Sequence, residues 1–334
     1  MSGEFNVQEI GEKENSRNSL ERSLVKKQYG VYKNAAVQIC LWTKRAIRNE
    51  GFCYKQKFYG ISCLQCMQFT PFIFCQENCV HCWRPKELLV TNVNMLKIKS
   101  KEQLGEPNEI IQNLIEARKK LLMGFFGDKR LDRKRIEKAL RPIHFAISLV
   151  GDPLLYPKLS ELIKLLKTKY SAKSIFLVSN CQEPDALKKL IKESALPTNL
   201  YLSITATNKQ DYFKLKRPLY KDAWERFLKF LKIARSAKCR KVLRYTLIKG
   251  INDKEKNISE LKKLVEICKP DFIEIKGYMY LGYSMLRLKK ENMPYYADVV
   301  DFSKNLLKKI KNFSYADCDK ASRVILLKEK NTKK

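Results

Sequence analysis

The sequence predicts an α/β fold, a partial (β/α)6 TIM-like barrel with a cysteine-bearing segment on its N-terminal side. Three observations lead there. From about residue 69 to 328, apolar runs of strand length alternate with amphipathic stretches of helix length. Such alternation gives parallel strands joined by helical crossovers. Glycine-, asparagine- and cysteine-rich motifs fall at the C-terminal ends of those runs, where barrels of this kind place their function. Seven of the eleven cysteines lie between Cys40 and Cys82, in and just after the segment that leads into the first strand.

Taken in order, residues 1–30 are polar, mix both charge signs and read as a mobile extension. Residues 31–68 hold Cys40, Cys53, Cys63 and Cys66. The run Phe69-Thr70-Pro71-Phe72-Ile73-Phe74 reads as the first strand, delivering Cys75 to its C-terminal end. Residues 107–123 read as an amphipathic helix with Ile110, Ile111, Leu114, Ile115 and Leu121 on one face. Strands then follow at His144–Val150, Ser174–Val178, Leu200–Thr205, Arg240–Ile248 and Phe272–Tyr278, with helices near 157–168, 185–193, 221–237, 254–267 and 294–311. Val324–Leu327 reads as a short final strand and 329–334 as a basic tail. No internal repeat or low-complexity tract interrupts the barrel at 69–328.

The 334 residues are 45% hydrophobic, enough for a packed core, and carry a formal net charge of +32. That balance points to a polyanion such as RNA or DNA, or to an anionic membrane surface. No apolar run is long enough to span a bilayer, and the N-terminus lacks an apolar signal core, so a cytoplasmic protein without a membrane span is expected. From Arg118 to Arg141 ten basic residues face three acidic ones. The run is either a solvated helical face or an RNA-facing surface, and the overall charge favours RNA. An odd cysteine count clustered early argues against a disulfide scaffold and for metal. Cys181, Cys239, Cys268 and Cys318 are scattered and read as core residues.

The most informative stretch is Cys75-Gln76-Glu77-Asn78-Cys79-Val80-His81-Cys82, with C-x3-C-x2-C spacing. Three thiolates within eight residues can wrap one face of a 4Fe–4S cluster and leave the fourth iron open. A structural zinc knot wants four ligands, usually in two pairs. Cys40, Cys53 and Cys66 are separated by 13 and 13 residues. That spacing fits a second three-cysteine cluster closed by the fold, and equally a zinc site or free thiols. Lys55, two residues from Cys53, is either a surface lysine or, if desolvated beside a cluster, an amine nucleophile toward a carbonyl.

The C-x3-C-x2-C motif resembles that of radical S-adenosylmethionine (SAM) enzymes. There the open iron takes the amino and carboxylate groups of SAM, and one electron from the cluster releases a 5′-deoxyadenosyl radical. More of the chain, roughly 31–328, resembles the archaeal-type tRNA 4-demethylwyosine synthases. The resemblance rests on Cys53-Tyr54-Lys55-Gln56-Lys57-Phe58-Tyr59-Gly60-Ile61, Cys82-Trp83-Arg84-Pro85, Ala146-Ile147-Ser148-Leu149 with Gly151-Asp152-Pro153, Arg217-Pro218, Lys249-Gly250-Ile251-Asn252, Ile273-Glu274-Ile275-Lys276-Gly277-Tyr278-Met279 and Gly282-Tyr283-Ser284.

This resemblance implies that 1-methylguanosine at position 37 of tRNA(Phe) receives two carbons of pyruvate and closes a third ring. It implies two 4Fe–4S clusters, one on Cys75, Cys79 and Cys82 and one on Cys40, Cys53 and Cys66. It implies Lys55 as the lysine that forms a Schiff base with pyruvate, with Lys57 as the alternative, and SAM contacts from Gly151, Asp152, Asn180 and Ser203. A monomer served by an external donor such as ferredoxin or flavodoxin is expected, since no flavodoxin-like stretch is visible. Two positions depart from the family pattern. His81 replaces an aromatic residue, and Asp152 replaces a glutamate, a shorter carboxylate that leaves backbone contacts as its route to SAM. The competing readings are another two-cluster radical SAM enzyme acting on RNA or peptide, and a basic RNA-binding protein with structural zinc.

Overall fold

The six apolar runs become six neighbouring parallel strands in a computed structural model that describes residues 22, 24–84 and 104–332. The expected extension lies outside the described residues at 1–21 and 23, as do Pro85 of the Cys82–Pro85 motif and residues 333–334 of the basic tail.

The strands are β1 (Tyr29–Tyr32), β2 (Ala35–Gln38), β3 (Cys66–Thr70), β4 (His144–Ile147), β5 (Ser174–Ser179), β6 (Asn199–Ile204), β7 (Arg240–Leu247), β8 (Phe272–Gly277), β9 (Phe313–Asp319) and β10 (Val324–Glu329). They form one ten-stranded sheet in the order β1-β2-β3-β4-β5-β6-β7-β8-β10-β9. Strands β3 to β8 are parallel to their neighbours. The β1–β2 hairpin adds to one edge and the β10–β9 pair to the other, both antiparallel. The sheet does not close, so the half-barrel keeps an open side.

The first parallel strand differs from the sequence expectation. It begins at Cys66 and stops at Thr70, because Pro71 has no N–H for the ladder. Thr70 Oγ1 then accepts from Phe72 N (3.3 Å) and donates to Phe72 O (2.8 Å), turning the chain. Phe72, Ile73 and Phe74 are buried as an irregular segment under the cysteine loop.

The helices are α1 (Leu41–Ile47), α2 (Tyr54–Tyr59), α3 (Pro107–Met123), α4 (Arg133–Leu140), α5 (Leu159–Thr168), α6 (Pro184–Lys192), α7 (Lys209–Lys216), α8 (Ala223–Ala234), α9 (Glu255–Cys268) and α10 (Tyr296–Lys309). None of the described helices is long and apolar enough to cross a membrane. The outer sheet face carries Leu177, Leu202, Leu243 and Ile273, which join the main core with Leu162, Leu187, Phe227 and Leu261 of the helices. Side chains on a strand alternate between faces, so the intervening residues point inward. There Ala146, Phe176, Tyr201, Val242, Phe272 and Leu326 form a second core with Ile61. Helix α2 lies against this inner face, with Tyr59 packed edge-on to Tyr201 and Phe272 (6.4 and 5.9 Å between centroids). The cysteine-bearing segment therefore fills the hollow of the half-barrel.

Arg118 does not belong to the expected surface. It is 1% exposed and donates to the carbonyls of Leu64, Cys66 and Ala139, which binds α3 and the end of α4 to the start of β3. The exposed remainder of the run includes Lys120, Lys129, Arg130, Arg133, Lys134 and Lys138. Of the scattered cysteines, Cys181 and Cys268 are buried in the core, while Cys239 and Cys318 are only partly buried at its margin.

Candidate active site

Above the inner core, toward the C-terminal ends of β3 to β8, lies a cavity of about 630 Å³. Its walls include seven cysteines: Cys40, Cys53, Cys63 and Cys66 from the N-terminal segment, and Cys75, Cys79 and Cys82 from the loop after β3. None of the seven is joined in a disulfide. Among the described residues no group of His, Cys, Asp or Glu gathers closely enough to hold a single metal ion. A cubane makes a different demand, one thiolate on each of three irons around a body several ångströms across. Cys75, Cys79 and Cys82, three soft donors on one loop at the cavity wall, fit that demand in donor chemistry.

The loop Cys75–Cys82 is held by its backbone. Asn78 N donates to the carbonyls of Lys216 and Arg217, and Val80 N donates to Leu215 O, so the C-terminal end of α7 cradles the loop. Beneath it, Lys216 Nζ meets Glu77 Oε2 at 2.8 Å, with side chains 3% and 1% exposed. Tyr212 donates to the other oxygen of Glu77 at 2.5 Å, and Cys79 Sγ lies 3.3 Å from Glu77 Oε2. Burial works against the Lys216 ammonium, but Cys79 and Glu77 outweigh it and raise its pKa. Arg84, buried and stacked on Trp83, donates to Tyr29 and Gln38 and ties the far end of the loop to β1 and β2.

Gly151 has φ +74, and a Cβ there would lie 2.4 Å from Phe74 O, so the turn after β4 presses its backbone against the chain entering the loop. Gly151, Asn180 and Ser203 line the cavity. Asn180 Nδ2 donates to Gln76 Oε1 (3.1 Å) and approaches Cys75 Sγ (3.7 Å). Asp152 differs. It is 1% exposed, is not part of the cavity wall, and accepts from Leu154 N, Ser179 Oγ and Asn180 N. Burial lifts its carboxyl to about 7. Its carboxylate shapes the turn and does not face the cavity. His81 does line the cavity, with Nε2 3.3 Å from Thr205 Oγ1. The Lys249–Asn252 turn is structural. Buried Asn252 donates to Thr205 O and Thr246 O, and Lys249 pairs with Asp298.

Lys55 and Lys57 part company on α2. Lys57 is exposed and paired with Asp317 at 2.6 Å. Lys55 lines the cavity, with Nζ 4.7 and 4.8 Å from the ring centroids of Phe176 and Tyr201. Burial, then Arg244, lowers its pKa. Below it lies a polar network that sequence reading missed. Fully buried Glu274 accepts from Tyr54, Tyr59, Tyr201 and Arg244 at 2.8–3.1 Å. Burial would raise the Glu274 pKa, but Arg244, Lys55 and the phenols lower it on balance. Lys276, also on the cavity wall, is pushed down to about 8 by burial and by Arg244. The sequence did carry a signal. Glu274 sits between Ile273 and Ile275, and Arg244 follows Val242-Leu243, each a charge inside an apolar strand. A charge at an inward position marks a cavity or a network.

Comparison with known proteins agrees with this geometry. A family model described as the radical SAM superfamily matches residues 69–261, and one described as wyosine base formation matches 268–329. The S-adenosyl-L-methionine-dependent tRNA 4-demethylwyosine synthase of Pyrococcus horikoshii is 38% identical over 298 residues, 89% of this chain and 84% of that protein. The enzyme of the same description from Methanocaldococcus jannaschii is 36% identical over 314 residues, 93% of this chain and 96% of that protein. A solved structure of TYW1 with a lysine–pyruvate adduct bound superposes with a TM-score of 0.81 at 34% identity, covering 94% of this chain and 96% of the other. The chain therefore belongs to the S-adenosyl-L-methionine-dependent tRNA 4-demethylwyosine synthase family, within the radical SAM superfamily.

Proposed function

We propose that this protein condenses 1-methylguanosine at position 37 of tRNA(Phe) with pyruvate to form 4-demethylwyosine, with Lys55 as the residue that holds pyruvate. The observation that carries the reading is the position of Lys55. It opens into the cavity that also receives both cysteine triads, and burial disfavours its charged form. The lysine–pyruvate adduct named for the superposing TYW1 structure supports it.

Cys75, Cys79 and Cys82 are the residues that would hold one 4Fe–4S cluster, and Cys40, Cys53 and Cys66 a second. A cluster held at the first triad would supply, once reduced by an external donor such as a ferredoxin or flavodoxin, the electron for cleavage of SAM. The chain's own residues do the rest. The Asn180 side chain, the Gly151 backbone and Ser203 form the wall where SAM would lie, and His81 lines the same cavity. A neutral Lys55 amine attacks the ketone of pyruvate, forming a C=N bond and releasing water. The aromatic floor of Phe176 and Tyr201 shields that bond from water and holds the lysine-bound pyruvate so that its carbon chain can meet the carbon of the substrate methyl group. The exposed lysines and arginines supply affinity for the tRNA backbone. The target base leaves its stack to enter the cavity, which is easier in an anticodon loop than in a duplex.

The test is to incubate anaerobically reconstituted protein with SAM, a reductant, pyruvate and 1-methylguanosine-containing tRNA, and to analyse the digested nucleosides by mass. Formation of the tricyclic base is expected. SAM cleavage with no nucleoside change, under conditions where a known synthase converts the same tRNA, would reject the assignment.

A further inference from the structure

We propose that Arg244 and Lys276 form a carboxylate-binding pair inside the cavity, which selects a short 2-oxo acid by its negative charge while its ketone faces Lys55. The proposal rests on the reading of the cavity as the pyruvate site and adds the residues that recognise the acid.

The placement follows from strand register. Arg244 pairs with Glu274 across β7 and β8, and Thr246 pairs with Lys276. Arg244 and Lys276 therefore stand diagonally on the same inward face, one step apart along the strands. Both line the cavity that Lys55 lines. Arg244 Cζ and Lys55 Nζ lie 4.4 and 4.8 Å from the ring centroid of the same residue, Tyr201. Lys276 Nζ lies 5.3 Å from the ring centroid of Tyr54, which directly precedes Lys55.

Arg244 and Lys276 are two cations beside the Lys55 amine, and Glu274 is the buried carboxylate among them, with Cys53 and Asp319 as further groups that favour the charged form of Lys276. Glu274 is already taken up by three phenols and the Arg244 guanidinium. Among the described residues no carboxylate comes within ion-pair distance of Lys276, whose Nζ donates to Ser322 O at 2.9 Å and has two further N–H groups. Arg244 commits Nε to Glu274 and Nη2 to Tyr54, which leaves Nη1 for another acceptor. A half-buried ammonium without a counter-ion is unfavourable. It is retained where an anion is to be bound. A fixed guanidinium N–H and a mobile ammonium together match the two oxygens of one carboxylate. A neutral carbonyl compound gains nothing from them, which is how the pair discriminates.

The test uses cluster-loaded protein and two probes. Oxamate has the shape and charge of pyruvate but does not condense with amines, and methyl pyruvate has the ketone without the charge. In calorimetric titration, wild type should bind oxamate, Lys276→Gln should bind it about tenfold more weakly or worse, and Lys276→Arg should recover much of the loss. Affinity for SAM should be unchanged in all three, which shows that the fold is kept. Borohydride trapping should show a raised half-saturating concentration for pyruvate in Lys276→Gln and an unchanged one for methyl pyruvate. Equal oxamate binding by wild type, Lys276→Gln and Arg244→Gln, or no oxamate binding by wild type, overturns the proposal. Trapping at Lys55 with the same pyruvate dependence in Lys276→Gln overturns it and leaves the Lys55 reading standing. Oxamate binding that depends on Lys276, with no adduct trapped at Lys55, supports the pair and rejects the Lys55 reading alone.

Discussion

Lys216 and Glu77 form a sealed ion pair, Nζ to Oε2 2.8 Å, under the loop that carries Cys79. Removing one partner strands a buried charge, which costs about 3–5 kcal/mol. Lys216→Met should therefore destabilise the protein by roughly that amount in denaturant unfolding. The double variant Lys216→Met, Glu77→Gln should recover most of the loss, because no charge remains uncompensated. Additive losses in the double variant would mean that the pair is not the unit that matters.

Gly151 and Gly250 both have positive φ, +74 and +75, but only Gly151 is crowded. Alanine at Gly250 meets nothing within 4 Å and suffers backbone strain alone, about 1–2 kcal/mol. Alanine at Gly151 adds a clash with the carbonyls of Phe72 and Phe74. Gly151→Ala should be the more destabilising by chemical denaturation and should release iron faster, since the displaced Phe72–Phe74 segment leads into Cys75. Equal costs would show that the close approach is not enforced.

The pH dependence of trapping at Lys55 has a definite sign. Its pKa lies below the ordinary lysine value of 10.5, so the neutral amine is present at lower pH in the folded protein than in a free lysine. The rate of borohydride-trapped adduct formation should rise with pH and level off below 10.5. Lys55→Arg should load iron, cleave SAM and form no adduct. Lys57→Arg should still trap, because Lys57 is held outside by Asp317. A plateau at or above the free-lysine value, or trapping lost only in Lys57→Arg, would move the role away from Lys55.

Reconstituted protein should hold about eight irons, two cubanes of four. Cys75→Ala with Cys79→Ala should leave about four and abolish SAM cleavage. Cys40→Ala with Cys53→Ala should leave about four and keep uncoupled SAM cleavage, since the SAM triad is intact. A wild-type content of about four would remove the second cluster.

Binding of tRNA should weaken steeply with salt, because each neutralised phosphate releases counterions. Reversing the exposed Lys120, Arg133 and Lys134 should flatten the salt dependence, by up to about one unit of slope for each phosphate that is no longer neutralised. Arg118→Ala should instead lower stability, since three carbonyls lose their donor. Identical salt slopes for wild type and the surface variant would place the tRNA elsewhere.

Much of this architecture was legible in the residues. The strands from β4 to β8 and the helix α3 follow from apolar runs and 3.6-residue periodicity, and the cysteine spacing marked the first triad. The short helices α1 and α2 were not legible. Six or seven residues give too few turns for a period, and α2 is fixed by Tyr54 and Tyr59 reaching Glu274, a pairing across most of the chain. Helix α7 was missed because its polar sequence hides Tyr212, Leu215 and Lys216, which face the cysteine loop. Arg118 was misplaced because a charge on an otherwise basic run reads as solvated unless the carbonyls it serves are known.

The insertion of α2 into the half-barrel also constrains how the molecule is made. Tyr54 bonds Glu274 across 220 positions, and Tyr59 bonds it across 215. These pairings close very long loops and so carry a large entropic penalty before any favourable packing compensates. During synthesis α2 emerges long before its partner strand β8. Until then Tyr54, Tyr59 and Phe58 have no floor to pack on, and the thiols of that segment stand open to oxidation. The segment that carries Cys53, Cys63 and Cys66 consequently cannot take up its native packing until β8 has been made.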